Sequence, residues 1–545
     1  MLIFDQILKF SIKGKGVEEV MQSGLTIYDN LVIIVYLAGI VALGVWHGYR
    51  QKNTEDFLLA GRSMKWWPIA ISMFAAFFSS ISYVAIPGEA YNYGTTMFIY
   101  MFFLALPLPV ALLVFLKLFY KLKLWTAYEY LEKRFSIRVR ILGSLIFLIT
   151  KCVYLGVALY ATALMLEPAL GWNMVFSICL VGVVGLIYSA YGGLKGVIWT
   201  DVAQFIVLVG GVLAIIFYII FKLPNGVMDI WNTTIETKHG FNIGPGSGFW
   251  DWNFAQRITI WAWLIAVLPG CISPVTNQVT LQLCLSCKDL KTVFKASIWQ
   301  TLGGWPVVFL FYIAGLALLA YVRILGQNTA MAAMDKGDKV YTYFVTHVMP
   351  IGLRGLIVAG LLAAIMSTIV SVLNSLATVT LKDIYQRAFA ASKKEEHYLW
   401  MSKLLTAVWG IMAVVFGIGI SVICNKFNVP LLEISNTCLG VFNGLLLGVF
   451  ALGLLNFRAN AKSATIGFFG ALVITFYFAI FHFLLKAPAE RMSFLWFAVL
   501  APFSVFVIGS LAGLFVKPTE NRQMVVWGNE LIKQSMNEDN PDLSK

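Results

Sequence analysis

The sequence predicts an all-α polytopic membrane protein, and three observations carry that prediction. Of its 545 residues, 59% are hydrophobic and 12% are charged, about half the charged fraction of a soluble domain. Apolar runs of roughly 20 residues, the length a helix needs to cross a bilayer, recur thirteen times. Basic residues gather in alternate loops between those runs, the pattern of a chain threaded repeatedly through a membrane.

The runs centre near residues 38, 78, 108, 155, 182, 209, 270, 308, 366, 411, 443, 473 and 505, so about 13 transmembrane helices are expected. HGYRQK after the first run, the segment 117–140, SCKDLKTVFK, LKDIYQRAFAASKK and NFRANAK hold most of the cations. The positive-inside rule puts those loops in the cytoplasm, the N-terminus outside and the C-terminal tail inside, in a plasma (inner) membrane. Residues 1–25 are then an extracytoplasmic segment, 26–516 the membrane domain and 517–545 a cytoplasmic tail. The net charge of +13 records this orientation and calls for no nucleic acid. No cleavable signal with a short apolar core precedes the first span. The bilayer is the implied partner.

Two spans are interrupted. The second reads WWPIAISMFAAFFSSISYVAIPGEAY, with a polar SSIS patch midway and Pro87-Gly88 beyond it. The seventh reads WLIAVLPGCISPVTNQ, with Pro269-Gly270 and Pro274. Proline alone can kink a packed helix. Five spans separate these two, however, and an odd offset places them in opposite orientations. That suits inverted repeats, here about 66–222 and 258–456, whose broken first helices line a binding site. Non-helical backbone at bilayer depth survives only against protein, water or a ligand.

The longer loops, 223–257 and 323–350, are expected to be external lids or packing elements. NTT at 232–234 fits a glycosylation sequon. CLSC at 284–287 is a lone CxxC without a second pair, a weak metal or redox signal. The ninth span contains LLAAIMSTIVSVLNS, with hydroxyls at Ser367, Thr368 and Ser371. Such hydroxyls either bond back to their own helix or coordinate something that crosses the membrane.

NTEDFLLAGRSMKWWPIAIS at 53–72, GGLKGVIWTDVAQF at 192–205, and AAIMSTIVSVLNS followed by KDIY resemble the sodium/solute symporter family, which includes bacterial sialic acid, sugar and proline symporters and animal sodium-coupled carriers. The resemblance runs from about residue 26 to 515. It implies a LeuT-like 5+5 inverted repeat with an extra leading helix. It also implies Na+-coupled import of a small polar organic solute (a sugar, sialic acid or other carboxylate) by alternating access, with Na+ as the coupling ion and the protein functional as a monomer. A hard cation needs several oxygens, and neutral ones release it more readily than a carboxylate cage.

Matched residue by residue, the resemblance gives Na+ the carbonyls of Ala75, Phe78 and Ala364 and the hydroxyls of Ser367 and Thr368. Positions 364, 367 and 368 share one helical face. Asp201, an acid inside a span and so functional by default, falls on the sodium exit path or, with Ser371, in a second ion site. Two further hydroxyl positions of that second site are Phe77 and Val370 here, so one Na+ is expected. One is enough: a charge crossing 100 mV supplies about 2.3 kcal/mol and a tenfold gradient about 1.4 kcal/mol.

The resemblance puts the solute between the broken spans. Ser79, Ser80 and Ser82 lie on one side and Ser273, Thr276 and Asn277 on the other, with Tyr83 and Tyr154 nearby and Phe102 and Trp263 as further aromatic candidates. The Ser79–Ser82 patch resembles the one with which sialic acid symporters hold a carboxylate. The arginine expected in the fourth span is replaced by Tyr154, with Lys151 one turn earlier either substituting or snorkelling to an edge. The polar side chains of sugar symporters are mostly apolar or Gly here, and Gln282-Leu283 stands where a Gln-Arg pair is usual. Glu433 is either a polar gate residue or near the outer surface.

Other classes fare worse. His47, His239, His347, His397 and His482 lie in different segments without HExxH, which argues against an enzyme, and no GxxxxGK[ST] motif suggests ATP use. A transporter-like sensor or channel lacks an appended signalling domain in this sequence. Proton coupling, the nearer alternative, would need Asp201 to titrate.

Overall fold

The computed structural model describes residues 25–49, 51–99, 119, 124–244, 247, 249–252, 259–261, 276–326, 330–334, 337–389, 393–427, 431–484 and 496–516. Helices dominate them, and no strand is formed among the described residues beyond an isolated bridge between Met64 and Cys287. Among the described residues, seven helices are long and apolar enough to span a membrane, eight if one bent pair counts as a single span. The sequence centres near 108 and 270 lie outside the described residues.

The chain enters through α1 (Ile27–Gly48), started by a capping box between Thr26 and Asp29. The buried Asp29 carboxylate also accepts from the Gly352 and Gly355 amides, at 2.7 and 3.1 Å, which ties α1 to the start of a distant span. The basic loop that follows carries α2 (Thr54–Leu59), capped by Asn53 and stopped by left-handed Ala60. Next come α3 (Trp66–Phe77) and α4 (Ser80–Tyr93), bent by 65° at a break between them.

After α5 (Tyr128–Arg134) and α6 (Ile137–Leu170), residues Met174–Lys222 form α7. Gly193 interrupts it at φ 54°, ψ −169°, a backbone state that only glycine adopts readily. Two predicted spans therefore meet at one glycine, and the Gln51 side chain caps the junction by donating to the Gly192 carbonyl.

Both loops read as external contain helix. α8 (Val227–Glu236) lies in the first. The second holds α11 (Gly337–Tyr343), met after α9 (Gln278–Leu285) and α10 (Leu290–Ile324). α11 packs on α4: the Gly337 amide donates to Asn92 Oδ1 at 3.1 Å. A Cβ on Gly88 would sit 1.9 Å from Asp338 Oδ1. Pro87-Gly88 is thus not where the second span breaks. Pro87 lies inside α4, and Gly88 allows the close approach of α11.

Then follow α12 (Leu353–Val379), α13 (Glu395–Phe427), α14 (Leu431–Leu455), α15 (Ala461–Leu484) and α16 (Phe497–Phe515). Within its most apolar stretch α12 is 94% buried, against 17% for α1. The hydroxyl-bearing helix is the centre of the bundle, and α1 is its rim. α12 packs along α7, where the Tyr188 hydroxyl donates to the Met366 carbonyl at 3.1 Å.

Beyond α12 a wider turn, Thr380–Tyr385, carries Asp383 into a buried ionic knot. Asp383 accepts from Thr126 at 2.7 Å, Ser144 at 2.8 Å and Arg140 at 2.5 Å. Arg140 also pairs with Glu132, which holds Arg387 at 3.1 Å. Desolvated charges survive in such a place only when fully paired.

Candidate functional site

The second span breaks at its serines, a residue type that weakens a helix. The last rung of α3 is Phe78 N–H to Phe74 O at 3.0 Å, and the ladder restarts with Tyr83 N–H to Ser79 O at 3.2 Å. Phe78 and Ser79 are extended, at ψ 92° and 168°. The carbonyls of Ala75, Ala76 and Phe77 therefore lose their helical donors, and the Phe78 carbonyl belongs to neither ladder. The buried Phe78 ring is held by Phe74 and Phe311, at 5.4 and 4.7 Å.

Against α3 packs the centre of α12, where Ala364, Ser367 and Thr368 are buried on one face. Here the two readings of the hydroxyls separate. Thr368, Ser375 and Thr378 bond back to the carbonyls of Ala364, Ser371 and Asn374, at 3.1, 3.0 and 2.8 Å. Ser367 instead crosses to α7 and donates to Asp201 Oδ1 at 2.6 Å. The other oxygen of Asp201 accepts from Ser72 on α3. Since Ser367 and Thr368 both give their protons elsewhere, the lone pairs of their oxygens remain available to a cation.

Asp201 is fully buried two turns past the Gly193 junction. Ser371 is buried with no partner for its hydroxyl among the described residues. Val370 is buried beside it, and Phe77 is half exposed.

On the solute side, Ser79 is buried with its Oγ 3.5 Å from that of Ser82, and the Tyr154 hydroxyl lies close to Ser79. The Lys151 ammonium lies 5.4 Å from the Tyr154 ring centre and 6.0 Å from that of Phe147. No carboxylate pairs with it among the described residues. The segments 100–118 and 262–275 contain no acidic residue. Lys151 is partly buried.

Tyr83, read as a solute contact, is 1% exposed and is packed edge-on to Phe311 at 5.2 Å. Its hydroxyl nests where a Cβ on Gly211 or Gly360 would come within 2.5 or 2.7 Å. Core packing is the role this placement gives it. Thr276 is buried, and Asn277 caps α9 by accepting from the Val279 amide at 3.2 Å, so a helix begins at Gln278. Ser273, Phe102 and Trp263, and the side chains of Ser80 and Glu433, lie outside the described residues.

Sequence reasoning missed Ser72. Its spacing of three from Ala75 was visible, but its partner on α7 was not. Gln282 was noted only as a departure, yet its amide donates to Leu58 O, Asn374 Oδ1 and Thr378 Oγ1 at 2.6, 2.6 and 2.8 Å. It pins the half-helix after the seventh span to α12.

A bundle of apolar spans, with a helix broken beside a buried hydroxyl face, defines a multi-pass membrane transporter. The sequence model of the sodium:solute symporter family matches residues 57–470, and the chain belongs to that family. It is 30% identical over 492 residues to the sodium/sialic acid symporter SiaT of Proteus mirabilis, covering 90% of this chain and 95% of that one. It is 31% identical to human sodium-coupled monocarboxylate transporter 1, covering 83% and 73%. A solved substrate-bound, outward-open Na+-coupled sialic acid symporter matches with a TM-score of 0.80 at 29% identity, over 90% of this chain and 98% of that one. The chain is a Na+-coupled solute symporter and not an enzyme.

Proposed function

We propose that this symporter imports a small carboxylate-bearing solute together with one Na+ by alternating access. Na+ is held by the carbonyls of Ala75, Phe78 and Ala364 and the hydroxyls of Ser367 and Thr368. The solute carboxylate pairs with Lys151 and is steadied by Ser79, Ser80, Ser82 and Tyr154, with Ser273, Thr276 and Asn277 on the facing span. The observation that carries the reading is the Lys151 ammonium, which has two rings near it and no paired acid among the described residues, next to the tyrosine that lies close to Ser79. A partly buried charge without a partner is costly, and an anionic solute removes that cost. The restart of α4 adds a helix N-terminus, which also favours an anion. Sialic acid and monocarboxylates, the solutes of the two relatives, both carry this group.

Coupling follows from the break. Phe78 offers its carbonyl to the ion, and Ser79, the next residue, offers its hydroxyl to the solute. Ordering one orders the other, so occupied and empty transporters favour different helix arrangements. In this reading the thirteen spans comprise one leading helix, two inverted five-helix repeats and two trailing helices, with the N-terminus outside and the tail inside. Asp201 lies on the ion's path, and with Phe77 and Val370 standing at two of its hydroxyl positions, Ser371 does not complete a second site.

The test is uptake into proteoliposomes of carboxylates and their uncharged amides, in sodium and in choline buffer. Accumulation of a carboxylate, only in sodium, with its amide excluded, is expected. Equal uptake of the amide would remove the Lys151 role, and equal uptake in choline would remove the sodium coupling at these residues.

A further inference from the structure

Among the described residues Asp201 has two hydrogen-bond donors, and they fall on the two elements that would hold the ion. Oδ1 takes the proton of Ser367 on α12, and Oδ2 takes that of Ser72 on α3. Ser72 stands three residues before Ala75, and Ser367 three after Ala364, so each donor lies one turn from a candidate carbonyl ligand on its own helix. All three side chains are fully or almost fully buried. No Lys, Arg or His pairs with Asp201 among the described residues.

We propose that Ser72 is a positioning residue for sodium: by holding Asp201 from the α3 side, it keeps the carboxylate aimed at Ser367. That fixes the Ser367 proton away from the ion and turns the oxygen lone pairs toward it. This inference rests on the sodium site proposed above. The physical basis is the one by which partners behind a metal ligand set its orientation and basicity. An ionised carboxylate accepts only, so it can take both serine protons at once. Without Ser72, the carboxylate can rotate and Ser367 can bond back to its own helix, presenting its proton where the ion should lie. The bridge also joins α3 to α12 through α7. Any motion that parts the broken span from α12 must break one of the two hydroxyl bonds, so holding the ion and closing this side of the bundle are one event.

The test uses the purified full-length protein, with NaCl titrated against choline chloride at constant ionic strength and no solute. It reads the sodium concentration that gives half the thermal stabilisation. Ser72→Ala is expected to raise that midpoint about tenfold, the low end for losing a partner behind a metal ligand. Ser72→Thr, which keeps the hydroxyl, is expected to retain the wild-type midpoint. Ser72→Cys, a weak donor of similar size, moves it in the same direction as alanine and serves if the alanine variant does not fold. Ser72→Ala in a Ser367→Ala background should add nothing. A lower melting temperature in choline with an unmoved midpoint means a purely structural role and overturns the proposal. So does an equal shift in the alanine and threonine variants. If Ser367→Ala shifts the midpoint and Ser72→Ala does not, only this inference falls. If Ser367→Ala also leaves it unmoved, the sodium site falls with it.

Discussion

Replacing Lys151 with methionine separates solute recognition from folding, because the two respond with opposite signs. The ammonium has a cation–π contact with Tyr154 and a longer one with Phe147, and no acid beside it among the described residues. Such ring contacts are worth roughly 0.5–2 kcal/mol, while removing an ion from water costs several kcal/mol. Methionine keeps the apolar length of the side chain and drops the charge, so the solute-free protein should melt at the same temperature or higher. The solute loses one charge-assisted hydrogen bond, worth roughly 1.5–3 kcal/mol. At about 1.4 kcal/mol per tenfold, the KM for a carboxylate solute rises about 10- to 140-fold, and Lys151→Arg recovers part of the loss. Saturable uptake into proteoliposomes, with melting curves of the same preparations, reads both quantities. If stability and uptake fall together, Lys151 is a structural residue and the argument for an anionic solute is wrong.

Three further substitutions test the surrounding geometry. Thr368→Val keeps the shape of a fully buried residue and removes its oxygen. Half-maximal uptake should need at least about tenfold more sodium, by the magnitude for lost ion-site groups, with melting in choline little changed since the lost bond is to its own helix. Asp383→Asn leaves the buried Arg140 short of its main counter-charge, and breaking a buried pair costs about 3–5 kcal/mol. Melting should fall sharply in sodium and choline alike, and an unchanged curve would refute the ionic knot. Gly193→Ala must place a Cβ 2.5 Å from Gln51 Nε2 at positive φ. A loss of about 1–3 kcal/mol in chemical denaturation is expected, and neutrality would deny the junction.

The long apolar helices among the described residues were legible because lipid contact enforces long apolar runs, and that constraint is local in sequence. The break in the second span was legible too, at its SSIS patch, though Pro87-Gly88 beyond it proved to be continuous helix. Proline marks a missing donor, and Pro87 supplies that inside α4, whereas the chain actually turns at Phe78 and Ser79. Serines weaken a helix without announcing where it ends, so the turn depends on Phe74, Phe78 and Phe311 packing across α3 and α10. The 49-residue α7 looked like two spans because GG sits between its apolar runs, and Gly193 confirms a junction there. The hydroxyl face of α12 followed from helical spacing. The direction of its protons did not, since Ser367 is turned outward by an acid 166 positions away in the chain.

Ser72 and Lys151 show two different ways in which a side chain can be read past. Lys151 is conspicuous in an apolar run, and its nearness to Tyr154 is a matter of one helical turn. What the sequence withholds is whether an acid folds back to neutralise it, and that decides between an anchor for a ligand and an internal ion pair. Ser72 is the reverse. A serine in a membrane helix is unremarked, because its default is a bond to its own backbone. It becomes informative only when α7 brings Asp201 between α3 and α12, with one carboxylate oxygen facing each. In the proposed site, a carboxylate held by one hydroxyl from each of two helices links α3 to α12 and sets the Ser367 oxygen toward the ion.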